Sequence, residues 1–448
     1  MDAGKLIFII CFLYLPLSFL TAQEEKVGIS GGLQTEDHFS LTEDVNNTWH
    51  EYRLDLKLKA AFSDKAEFFS ECWIRTWGLP NVLESADLTD RDKVVSMNIA
   101  LREAYVDIYD FFIDHLNIRI GRQRIAWGTG DKLNPTDNLN PYDLENIWDF
   151  GRHLGSDGIK AYYYLDDFSI TLVYIPLFTP ALLPKGSWAD VLSPPIDLPA
   201  GLTLNSMSDS ITLPQTSLLD SATIGVKIAF LLFDFDVSLS YVYGRDSLPI
   251  ADKSTLIAAG LPAVNIASEL FYPREHIVGA DLAGELFSVG VWAEGAVFFP
   301  EKVTLTTDST AVGGSIQKDT VLKEPYFKYV VGFDYTFNNG IYINVQYLHG
   351  FLHERGPENL HDYFLLGMDW KLFDGKIKLS PLAGGVEIDD FTDIAGNYAV
   401  FYSPQISLYP IDNAEITIGC IMIDGTDSTT FGRAKNNDEF YLRMKYSF

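Results

Sequence analysis

Apolar and polar residues alternate one by one over long stretches of this chain, and the alternation is sharpest at its end. Phe440, Leu442, Met444, Tyr446 and Phe448 share one parity; Glu439, Tyr441, Arg443, Lys445 and Ser447 share the other. Period two is the signature of a strand with one oily and one polar face. The same pattern opens the chain. Tyr52, Leu54, Leu56, Leu58 and Ala60 alternate with Glu51, Arg53, Asp55, Lys57 and Lys59. Facing those lysines and arginines to hydrocarbon would cost up to ~2–4 kcal/mol each at mid-membrane. Five charges on one face point to a wet interior, and the oily face points outward.

Hairpins follow in series. Residues 49–61 and 66–77 turn at Ser63-Asp64-Lys65, and 95–110 leads through Asp114-His115 to Leu116, Ile118 and Ile120. Arg102 breaks parity, which predicts a rim position or a bulge. Further pairs are 157–165 with 168–176, 222–231 with 233–244, 274–285 with 287–298, and 326–337 with 341–352. Residues 362–372 pair with 376–387 and 397–408 with 414–423. Asn338-Asn339-Gly340 and Asp374-Gly375 are strong turn signals. The turns between 231 and 233 and between 285 and 287 are placed at Leu232 and Leu286. Residues 27–36 form a weaker first strand.

Short turns alternate with long connections at 177–220, 246–273, 300–325, 353–361, 388–396 and 424–438. The expectation is an all-β fold: a transmembrane antiparallel up-and-down barrel of about 18 strands (range roughly 16–18), with short periplasmic turns and long extracellular loops. A closing strand that ends on an outward aromatic fits such a wall, with Phe448 and Tyr446 as the signal read by barrel-assembly machinery.

Composition agrees. Aromatics make up 14% of the chain, as interfacial girdles require. The net charge of −28 argues against nucleic acid and favours acidic loops or an acidic lumen. Lys5 precedes an apolar run, Leu6 to Leu20, then Ala22. That run is short for a membrane helix and predicts a signal peptide over residues 1–22, with one barrel domain over 23–448. Cys11 would leave with it; Cys72 and Cys420 sit on apolar parities and read as packed or lipid-facing thiols. The chain belongs, on this reading, in the outer membrane of a Gram-negative-type bacterium.

Candidate chemistry gathers at residues 118–144, I-R-I-G-R-Q-R-I-A-W-G-T-G-D-K-L-N-P-T-D-N-L-N-P-Y-D-L. Arg119, Arg122, Arg124 and Lys132 stand close together in an acidic chain, with Trp127 among them. Forked Arg donors suit carboxylate or phosphate. The alternative is structural: the same arginines tie a loop to acidic wall residues such as Glu103 and Asp107. Asn134-Pro135 and Asn140-Pro141, each followed by Asp, predict ordered turns, so the segment could fold into the barrel and narrow it. Arg119, Arg122, Arg124, Lys132, Glu103, Asp107 and Trp127 are the constriction candidates.

Two long loops are apolar: 177–220, rich in Leu with Pro180, Pro184, Pro194, Pro195, Pro199 and Pro214, and 254–272. They are expected to pack on the mouth, or to bind an apolar ligand through Leu182, Leu183 and Ile257. His349, His353 and His361 read as bystanders, and Glu387, Asp389, Asp390 and Asp393, with Asp424, Asp427 and Asp438, as solvated loop acids rather than calcium ligands. No catalytic residue, metal or cofactor is expected.

The run L-R-E-A-Y-V-D at 101–107, then G-R-Q-R-I-A-W-G at 121–128 and the paired N-P turns, resembles the porin-like outer-membrane family DUF1302 and, more loosely, alginate-export-type porins. Segments 175–180, 279–281 and 292–294 add weaker matches. The resemblance implies an outer-membrane barrel with a transport or channel role and brings no catalytic residues. The expected function is a porin-like channel for small solutes, organic, hydrophobic or anionic, with a homo-oligomer as one possible form. The alternative is a structural or adhesive barrel whose loops bind a partner.

Overall fold

The computed structural model describes residues 27–41, 45–192 and 198–448. The predicted leader, Cys11, Pro194 and Pro195 lie outside the described residues. Nineteen strand segments join in one sheet. Two of them, Tyr398–Tyr402 and Gln405–Leu408, are halves of a single stave, both paired with Ala414–Gly425, so the wall has eighteen staves. The break falls at Ser403-Pro404, where proline has no N–H for the ladder. Every neighbour is antiparallel, and Val27–Ser40 pairs with Glu439–Ser447 from Gly32↔Ser447 to Ser40↔Glu439. Gly31 and Phe448 exchange backbone hydrogen bonds of 2.8 and 3.0 Å at the seam. The sheet therefore has no free edge, the condition for a sheet surrounded by hydrocarbon.

Alternation sorts the side chains as period two requires. Leu172, Leu239, Val278, Phe327, Val331, Ile406, Ile418 and Tyr446 face outward and are exposed. The charged set of Asn47–Ser63 faces in, where Lys59 meets Glu67 at 3.0 Å and Lys57 lies 3.6 Å from Glu71. Cys72 and Cys420 are free and half-buried. The register shift between Glu71 and Cys72 makes the bulge expected near Arg102. It turns the Arg102 guanidinium inward.

The turns hold a surprise. Phe233-Asp234 and Phe287-Ser288 form two-residue links, one position beyond the predicted Leu232 and Leu286. Phe112, Phe233, Phe287 and Phe373 all have positive φ, between 51 and 61°. A bulky residue there costs about 1–2 kcal/mol. All four rings are also 72–92% exposed, and all sit at the short-turn end of the wall.

At the opposite end, five strands form a second sheet in the order Ile316–Leu322, Val303–Asp308, Ile250–Ala258, Ala263–Phe271, Thr203–Thr212. It is built wholly from three long connections. The apolar loops thus divide. Part of 177–192 packs into the mouth, with Val191 buried, while Thr203–Thr212 is exposed along its whole length. Leu182, Leu183 and Ile257 are partly exposed; Leu182 lies beside Leu144 and Ile257 in the outer sheet, so they do not converge on one site.

Candidate functional site

Strand Leu116–Gln123 ends where its chain leaves the wall, and residues 124–155 cross the lumen before Ser156–Leu165 resumes it. Asn140 clamps the two ends of this insertion. Its Oδ1 accepts from the Ile125 N–H at 2.7 Å, and its Nδ2 donates to Gln123 O and Ser156 Oγ at 3.1 and 3.0 Å. The Asn134-Pro135 turn closes through Asp137 N–H to Asn134 O at 3.0 Å. Glycines on the wall leave room: a Cβ on Gly225 would strike Leu139 and Trp127, and one on Gly279 would strike Thr136.

The wall residue that receives the insertion is Glu294. Its carboxylate accepts from the N–H groups of Thr129, Gly130 and Thr136 at 2.5, 2.9 and 3.2 Å, and from Asn134 Nδ2 at 3.1 Å. The Thr136 hydroxyl adds a contact at 3.3 Å. Further across, Asp131 N–H reaches Gln346 at 3.3 Å. Charge-assisted bonds of this kind are worth about 1.5–3 kcal/mol each, so Glu294 is the main latch on the tip.

Beyond the tip the insertion joins a dry core. Trp148 and Phe150 pack with Phe351, Phe401 and Phe431, drawn from two other connections and the wall; the Phe401 and Phe431 rings are 4.5 Å apart. The loop half of the lumen is therefore filled, and the short-turn half stays polar and half-exposed.

The predicted residues separate on this frame. Arg119 grips Asp107 through two bonds of 2.8 Å and stacks 3.7 Å over the Tyr105 ring. Arg124 donates to Asp137 and contacts His153 Nδ1 at 3.0 Å, and its N–H reaches Glu103 at 2.8 Å. Trp127 is buried against the wall rather than facing an opening. Arg122 does not line the lumen. It shares the outward parity of Ile120 and pairs with exposed Asp157 at 2.9 and 3.1 Å. Lys132 sits exposed at the tip, with no ion pair among the described residues. Two further arginines, Arg102 and Arg152, hold buried Asp143 at 2.6 and 3.0 Å. Burial would raise the Asp143 carboxyl, but the two guanidiniums outweigh it and hold it below the usual range.

Among the described residues Glu354, His361 and Glu387 are the one set that could grip a metal. Their oxygens already have partners. Glu387 accepts from the Thr430 and Phe431 N–H groups at 2.7 and 2.9 Å and from His361 at 2.7 Å. Glu354 accepts from the Phe351 and His361 N–H groups at 2.7 and 2.9 Å and from the Tyr363 hydroxyl. The cluster ties loops to wall. The loop acids are likewise engaged in turns: Asp390 with Thr392, Asp393 with Gly396, Asp438 with Ile423. His349 pairs with Asp362, apart from this group.

Glu294 and the Glu354 cluster were not among the predicted site residues. Their partners lie far off in sequence, and only the strand order brings them together.

The chain is similar to OmpF of Salmonella typhi, in a structure with daunomycin, at TM-score 0.41 and 11% identity over 94% of this chain and 97% of that one. It is also similar to OmpT, an outer membrane protein of Vibrio cholerae folded in vitro, at TM-score 0.44 and 9% identity over 96% and 99%. No protein-family model and no curated protein matches the chain, so the sequence resemblance at residues 101–107 and 121–128 assigns no family.

Proposed function

We propose that this chain is a porin-like channel of a bacterial outer membrane, narrowed by residues 124–155 to a selective passage. The observation that carries the reading is the edge-free wall with oil outside, charge inside, and a latched segment across its bore. The four strained, exposed phenylalanines add support. A ring held at positive φ in water has nothing to offset its cost, whereas a lipid interface rewards it. On this reading the short turns lie at one membrane surface, with the long loops and outer sheet on the far, extracellular side. Phe448 and Tyr446, exposed on the closing stave, on this reading meet lipid and serve as the signal for assembly machinery.

The solutes are small and organic. Anion selection by the arginine stretch has weak support, because Arg119, Arg122 and Arg124 each hold a carboxylate and Lys132 alone is free to act. A second, adhesive reading draws on the outer sheet, whose edge strand Thr203–Thr212 offers unpaired backbone to a partner.

The test is single-channel recording of the refolded barrel in planar bilayers. Discrete conductance steps, well below those expected of an unobstructed barrel of this size, are the expected result. Folded protein that leaves the bilayer at background conductance removes the channel reading.

A further inference from the structure

Between the insertion and the wall lies a cavity lined by Lys132, Tyr142, His153, Glu275, Tyr326 and Leu352, among others. Asp246, Glu275 and Tyr142 also line a second cavity, so the two adjoin around the Tyr142 ring. Both lie in the filled half of the lumen, where a passing solute would pause.

Most polar groups there are engaged. Lys328 donates to Phe351 O and Leu352 O at 2.7 and 3.3 Å. Arg355 holds Asp246 at 2.6 Å. Besides the Tyr142 and Tyr326 hydroxyls, three groups are left among the described residues. The Glu275 side chain is 7% exposed and makes no hydrogen bond or ion pair among the described residues. His153 is 6% exposed, and its Nε2 has no partner. Lys132 is the unpaired ammonium. Arg124 can only donate, and its guanidinium lies 3.0 Å from His153 Nδ1. Gly151 O, 3.1 Å from the same Nδ1, can only accept, so Nδ1 serves one of the two, and Nε2 is without a partner in either tautomer.

The cavity thus presents one carboxyl group without a hydrogen bond, one unpartnered imidazole nitrogen and one ammonium without an ion pair among the described residues, against walls that include Leu133, Leu348 and Phe298. Leaving a buried carboxylate unmatched is costly. A ligand that satisfies all three carries an ammonium and a carboxylate on a small apolar body. We infer that this cavity is a binding station for small amino-acid-like zwitterions, the ammonium on Glu275 and the carboxylate on Lys132 and His153. The inference rests on the channel reading and names its solute class.

The test is titration calorimetry on the full-length barrel folded in detergent, with L-leucine, leucinol and 4-methylpentanoate as probes. L-Leucine is expected to bind about tenfold or more tightly than either half-molecule. Glu275→Gln is expected to weaken L-leucine and leucinol by about tenfold and leave 4-methylpentanoate unchanged. Lys132→Met is expected to weaken L-leucine and 4-methylpentanoate and spare leucinol. Equal affinity for all three probes, no saturable L-leucine binding, or an unaltered Glu275→Gln barrel overturns the inference. Should that variant not fold, the three-probe comparison on the natural chain decides alone. A barrel that conducts but does not discriminate the probes loses this inference and keeps the channel; one that discriminates but does not conduct loses the channel.

Discussion

Glutamine at position 294 should unlatch the tip of the insertion. The carboxylate presents Oε2 to Thr129 N–H, Gly130 N–H and Asn134 Nδ2, and Oε1 to the Thr136 amide and hydroxyl. Glutamine has one acceptor oxygen. Whichever way the amide sits, its NH2 faces donors. With the oxygen on the three-donor side, the better orientation, the Thr136 N–H meets a donor and every remaining bond loses its charge. At about 1.5–3 kcal/mol per charge-assisted bond, less what entering water restores, the tip loses on the order of 3–5 kcal/mol of docking free energy. That shifts the docked-to-released ratio by roughly two to three orders of magnitude. Arg124–Asp137 and the Asn140 clamp still hold the base, so the tip around residues 128–136 is what frees itself.

Two assays read this. Single-channel recording should show a larger and noisier conductance for Glu294→Gln than for the natural chain. Trypsin should cut after Lys132 at least about tenfold faster in the folded variant, since cleavage tracks the open population. The reasoning is refuted by a folded variant with the natural conductance and the natural cleavage rate. Such a result would mean that the dry core alone holds the insertion.

Arg119→Ala should cost about 3–5 kcal/mol, because it strands the buried Asp107 carboxylate, whereas Arg122→Ala should stay within about 1 kcal/mol; comparable urea midpoints for the two would contradict their placement. His361, in the connection outside the wall, has burial pulling its pKa down and Glu387, Glu354 and Asp389 pushing it above the ordinary histidine value. A raised folded pKa stabilises fully below the unfolded value and fades as pH climbs through the folded one. Amide protection in residues 350–361 and 426–434 should therefore fall as the solution is made more alkaline from about pH 6.5, and His361→Gln should flatten that slope. Replacing Phe233 and Phe287 together with Asn removes about 1–2 kcal/mol of left-handed strain per site. The variant should nonetheless insert into lipid vesicles more slowly, and faster insertion would place those rings in water.

Much of the wall was legible because lipid and water make opposite demands on adjacent positions. The parity of residues 49–61 and 439–448 fixes which face is which, and the hairpin spacing leads to the observed eighteen staves. The parity break at Arg102 allowed a rim position or a bulge, and the structure has the bulge. Parity also contained the placement of Arg122, in step with Ile118 and Ile120, but its charge drew attention to the lumen. The turns at Phe233-Asp234 and Phe287-Ser288 were misplaced by one residue because turn chemistry looks for Gly, Asn or Asp at positive φ. On the channel reading proposed above, the membrane surface overrides that preference. The outer sheet escaped for the opposite reason: Thr203–Thr212 is exposed on both faces, so no alternation is imposed on it.

The insertion was legible only from its own side. Two Asn-Pro turns announced an ordered segment, and ordering within a loop is a local property. Docking is not local. Glu294 meets residues some 160 positions earlier, and it does so because Val289–Pro300 stands five staves around the wall from Ser156–Leu165, where the insertion returns. The same logic governs the arginines. Arg119 finds Asp107 on the adjoining strand, at the directly opposed register position, so that pair could be read from a hairpin. Arg102 finds Asp143 only once the insertion has folded back on the bulge. Pairing these guanidiniums with carboxylates leaves the groups around the cavity that have no partner to stand out. Glu275, His153 and Lys132 acquire meaning by subtraction: each is an ordinary residue in the sequence, and each is left over when its neighbours have paired. Selectivity in such a bore resides in what the fold fails to satisfy, and that remainder exists only after every long-range contact has been made.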